Sequence, residues 1–112
     1  MIPRSVLYAR FMKDPATRRL GGIASDLARL SGLLKANSEN WELFQNVLNE
    51  TKFFTEWTAH DLSPDIQEKL LDLQRSLSKW GGGPFSKEQL SLVQREAKKW
   101  SEMILSTSGL AG

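Results

Sequence analysis

Cysteine is absent from this 112-residue sequence, and histidine occurs once. The first absence excludes a disulfide framework, thiol nucleophiles and thiolate metal sites. The second removes most routes to a histidine-based general acid or base and to a histidine-rich metal centre. A di-iron bundle site needs Glu-x-x-His from two helices, and His60 is alone, with Glu56 at the wrong spacing. No cofactor is therefore expected. There is also no apolar run near the roughly 20 residues that span a bilayer. Arg10, Lys13, Arg18 and Arg19 interrupt the N-terminal region, which makes a poor secretory signal. A soluble, cytoplasmic protein is the expectation.

What remains is an ordinary globular composition, with 40% hydrophobic and 25% charged residues. The length suits one domain, large enough to fold without a staple. Net charge is +2, but its distribution is uneven. Residues 1–36 hold seven Lys/Arg against two Asp/Glu, residues 37–72 two against eight, and residues 73–112 six against three. Helices of opposite sign attract weakly when packed side by side.

Four segments carry helical periodicity. Leu20, Ile23, Leu27, Leu30 and Leu34 fall at steps of three and four, behind an Asp14-Pro15 start signal. The second segment starts at Asn37 or Ser38. It runs through Trp41, Phe44, Val47, Leu48, Thr51, Phe54 and Thr58, and ends near His60. The third opens on Ser63-Pro64-Asp65 and repeats the seam through Ile66, Leu70, Leu73, Leu77 and Trp80 until Gly81-Gly82-Gly83-Pro84 breaks it. The fourth has a capping box at Ser86 and Gln89, a staple of Phe85 and Leu90, and a seam of Leu90, Val93, Ala97, Trp100 and Ile104.

Long helices with short connections predict an all-α fold, an antiparallel up-down-up-down four-helix bundle over residues 14–106. Residues 1–13 form an N-terminal arm or short helix, since Ile2, Val6, Leu7, Tyr8, Phe11 and Met12 are too apolar for a free tail. Residues 107–112 read as a flexible tail. Gly21-Gly22 falls inside the first long helix or marks a later start near Ile23. Gly21, Ser25, Ala28 and Gly32 make a small-residue flank, for tight packing within the bundle or for self-association.

The aromatic excess of the second helix is the clearest functional signal. Phe53 and Trp57 lie off the seam, near His60, and need a second cover. Val6, Leu7 and Phe11 of the N-terminal segment can supply it; otherwise the rings form an exposed interaction patch, extended by Leu71 and Leu92. A non-enzymatic protein–protein interaction or regulatory module, self-association included, is the leading expectation. The alternative is a nucleic-acid-associated factor using a basic patch of Arg4, Arg10, Lys13, Arg18 and Arg19, with Tyr8 and Phe11 among them. A third, weaker reading joins Glu50, Glu56 and His60 as a catalytic set, and would need a deep polar pocket around them.

Overall fold

The computed structural model describes residues 2–36, 41–83 and 85–109. Among these the fold is entirely helical: α1 (Arg4–Met12), α2 (Ala16–Ala36), α3 (Trp41–Ala59), α4 (Pro64–Trp80) and α5 (Lys87–Ser108). Period-3.6 seams dictate this, because a helix with one apolar stripe must bury it against another. Leu20, Ile23, Leu27 and Leu30 of α2 meet Phe44, Val47 and Leu48 of α3, Leu70, Leu73 and Leu77 of α4, and Val93, Ala97 and Ile104 of α5 in one core. Each fully buried leucine there contributes roughly 1.5–3 kcal/mol relative to exposure.

The central helix is α2. It packs most extensively on α5 and next on α3, while α4 leans on α3 and only lightly on α5. The α2–α5 approach is close because small residues line it. Ala24 and Ala97 are buried, Ser31 Oγ donates to the Gln94 carbonyl at 3.1 Å, and Ser101 Oγ donates to the Ala24 carbonyl at 2.7 Å. The flank expected to pack tightly is a different one. Ser25, Ala28 and Gly32 are exposed, and a Cβ on Gly32 would meet nothing within 4 Å. The Gly21-Gly22 pair is interior, since α2 already begins at Ala16, and Gly22 faces the Phe11 ring of α1.

Helix ends follow local chemistry with two corrections. The Ser86–Gln89 capping box forms as the spacing requires, and Pro64 opens α4. Asp14 does not cap α2: the Pro15 carbonyl accepts from the Arg18 and Arg19 N–H groups at 3.0 Å, and the Asp14 carboxylate pairs with Arg18 instead. Nor does the tail begin at residue 107. Thr107 and Ser108 belong to α5, Ser108 is buried, and Gly109 ends the helix in the left-handed region at φ 78°. The expected caps Asn37 and Ser38 lie outside the described residues, as do residues 110–112. No described helix is long and apolar enough to cross a membrane.

Candidate functional site

Arg4, Leu7, Tyr8 and Phe11 recur at steps of three and four, so one side of α1 carries all four. That side lies on α3. Phe11 stacks on Phe54 with centroids 3.9 Å apart, Tyr8 meets Trp57 edge-on at 5.0 Å, and the Arg4 guanidinium rests 4.1 Å from the centre of the Phe53 ring. Phe53 in turn stacks on Trp57 at 5.6 Å. The second cover is thus the N-terminal helix. Leu7 and Phe11 take part as expected, whereas Val6 points away and Tyr8 does its work. Phe53 and Trp57 are half-buried as a result, not open.

This cover is incomplete. No residue of α1 is buried, and Ile2, Val6 and Tyr8 remain 49%, 40% and 44% exposed. Of these only Tyr8, edge-on to Trp57, continues the half-buried rings outward, while Val6 lies on the opposite side of α1.

Beside these rings α1 and α3 enclose a cleft of about 640 Å³. From α1 come Ile2, Pro3, Arg4 and Leu7. From α3 come Asn46, Asn49, Glu50 and Phe53. Behind Glu50, on α2, stands Asp26, only 7% exposed. The Glu50 side chain neighbours the Asp26 carboxyl. Burial first, then the bond to Glu50 and the Glu50 charge, push the Asp26 carboxyl up to about 8; Arg29, 3.9 Å away, pulls the other way. Asp26 Oδ2 has no hydrogen-bond partner. Asp26 was not singled out in advance, and Glu50 only within the set with Glu56 and His60, yet a signal for the pair existed. Asp26 sits three residues after Ile23 and four before Leu30, and Glu50 holds the same place between Val47 and Phe54. Each acid intrudes on an apolar seam.

The other anticipated residues do not gather here. His60 is exposed just past the end of α3 and, with Leu71, lines a second cleft of about 320 Å³ between α3 and α4. Glu56 lines it too, without an ion pair to His60, while Glu50 belongs to the first cleft. The set Glu50, Glu56 and His60 is therefore divided. Leu92 is 52% exposed on α5 and borders neither cleft. Among the described residues no three His, Asp or Glu side chains converge as metal ligands.

The basic cluster also disperses. Arg19 is 6% exposed and forms an ion pair with Asp61 at 2.8 Å, so it offers nothing to a phosphate. Arg18 is exposed but pairs with Asp14, and Arg4 lies on Phe53. Arg10 and Lys13 remain as exposed cations. Linear clustering overestimated the patch because successive helical residues point in different directions. Comparison with protein-family models, with characterised proteins and with solved structures returns no match, so the site stands on its own geometry.

Proposed function

We propose that this chain is a non-catalytic helical module that binds a protein partner, or a second copy of itself, through the face shared by α1 and α3. One observation carries the reading. The Phe53 and Trp57 rings are half-buried under a helix that buries none of its own residues, and Tyr8, edge-on to Trp57, extends them outward exposed. Aromatic side chains with one face already desolvated lose little further freedom on docking, and such residues dominate interface energetics. The finer description of the scaffold belongs to the same proposal: α2 to α5 as an antiparallel up-down-up-down bundle, with α1 as an arm. Short connections between long helices support it.

The nucleic-acid reading keeps less support. Phosphate affinity needs several cations on one face. Burial of Arg19 and pairing of Arg18 leave Arg10 and Lys13 without the rest of the cluster.

A photocrosslinking residue at position 5, exposed and one turn from Tyr8, tests the docking face. The expected result is one defined adduct, lost when Tyr8 and Trp57 are both replaced by serine while the helical circular dichroism persists. The same crosslinker at position 92 is the control and should form none. A protein that sediments as a monomer at high concentration, with no adduct from position 5, overturns the proposal.

A further inference from the structure

Two opposite charges line the α1–α3 cleft and do not meet. Arg4 brings a guanidinium from α1 and Glu50 a carboxyl from α3, yet no ion pair joins them. Arg4 has no carboxylate partner among the described residues; its guanidinium lies on the Phe53 ring. Glu50 is engaged by Asp26, whose side chain is nine-tenths buried and whose Oδ2 is unpartnered. Arginine and carboxylate pair strongly when they can reach one another. Here each is held on its own helix, with the Asn46 and Asn49 amides also on the wall and Leu7 and Phe53 supplying apolar surface.

We infer that this cleft is a binding site for a small zwitterion of amino-acid type with an apolar side chain. Its carboxylate would take Arg4, its ammonium the Glu50 carboxyl with buried Asp26 beside it, and its side chain the surface of Leu7 and Phe53. Charge complementarity selects this class. A bare ammonium enters against the like charge of Arg4, and a bare carboxylate against the acid pair. A ligand carrying both ends satisfies both at once. A cleft of about 640 Å³ is within the usual range for small-molecule sites and leaves room for an aromatic side chain. An ammonium beside the pair also favours its ionised form. The charged groups around Asp26 are Glu50 on α3 and Arg29 on α2. Binding near neutral pH therefore releases a proton.

Isothermal titration with L-phenylalanine, phenethylamine and 3-phenylpropionate tests this, run at pH 7 in two buffers of different ionisation enthalpy. The zwitterion should bind at least about tenfold more tightly than either single-charge analogue, with a buffer-dependent heat that marks proton release. Glu50→Gln and Arg4→Gln should each weaken it about tenfold or more while the circular dichroism stays helical. In Asp26→Asn the proton release should vanish. Phenethylamine binding as tightly as phenylalanine would overturn the inference, as would equal affinity for all three or no binding by any. The cleft shares Phe53 with the docking face, but the readouts are separate: amino-acid binding without a crosslinked partner sinks only the docking proposal, and the converse sinks only this one.

Discussion

Arg19 and Asp61 lie forty-two residues apart in the chain and 2.8 Å apart in the fold. The same guanidinium donates to the Asp14 carbonyl at 3.0 Å and reaches Met12 Sδ at 3.3 Å. One buried side chain thereby ties the turn between α1 and α2 to the turn between α3 and α4. A buried cation stripped of its partner is costly, although Asp61 is about half exposed and water screens part of the attraction. Asp61→Asn should destabilise the protein by about 1–3 kcal/mol. Adding Arg19→Met should recover much of that loss. Urea unfolding of the two single variants and the double variant reads the coupling, and additive effects would show that the pair does not act as a unit.

Asp26 makes stability depend on pH. Its carboxyl is raised from an ordinary 3.8 to about 8 in the folded protein, first by burial and then by Glu50. Between those values the folded state holds a proton that the unfolded chain has released. Stability is thus fully present below about pH 4 as far as this group is concerned, and is lost as pH rises towards 8, by up to about 1.4 kcal/mol per pH unit. Asp26→Asn keeps the shape, donates to Glu50 and should flatten this slope, leaving the variant more stable than the parent at pH 7. Thermal unfolding across pH 4 to 8 decides, and a parent whose stability rises with pH over that window contradicts the assignment.

Removing the Phe11 ring should loosen α1 without unfolding the rest. Phe11 stacks on Phe54, approaches Trp57 at 6.1 Å and lies over Gly22. Phe11→Ala should cost about 2 kcal/mol, below the usual value for a fully buried ring because Phe11 is only partly buried. Amide exchange across residues 4–12 should accelerate while that of α5 is unchanged. Equal acceleration in both would mean that α1 unfolds only with the whole domain.

Gly83 should not tolerate even a methyl group. A Cβ there would stand 2.7 and 2.9 Å from Cζ2 and Cζ3 of Trp41, a ring already packed on Phe44 at 5.2 Å and Phe85 at 5.4 Å. Gly83→Ala should therefore cost about 1–3 kcal/mol by overpacking. At Gly82 the nearest atom to a Cβ is the Lys79 carbonyl oxygen at 3.4 Å, so Gly82→Ala is the milder control. Equal chemical-denaturation midpoints for the two variants would refute the role of the Trp41 contact.

Much of this architecture is legible from spacing alone. Leu20, Ile23, Leu27 and Leu30, or Leu70, Leu73, Leu77 and Trp80, announce a buried helical stripe because 3.6 residues per turn bring them to one side. The Ser86–Gln89 box is equally local, since both hydrogen bonds close within one turn. The candidate site is less legible. Arg19 reads as part of a surface cluster until Asp61 arrives from another helix, and the small flank of α2 that packs is Ala24 and Ser31, not Ala28 and Gly32. Such outcomes depend on which neighbour occupies each azimuth of a helix, and periodicity does not encode the neighbour.

The sequence by itself determined that this chain is helical, where most helices begin and end, and that Phe53 and Trp57 require cover, because propensity, capping and one-sided burial act within a few turns. Tertiary structure alone decided that α1 lies on those rings, that Arg19 is internal, and that Asp26 is buried beside Glu50. These depend on contacts between residues distant in the chain. Their energies exist only once the helices have packed and water has been excluded between them.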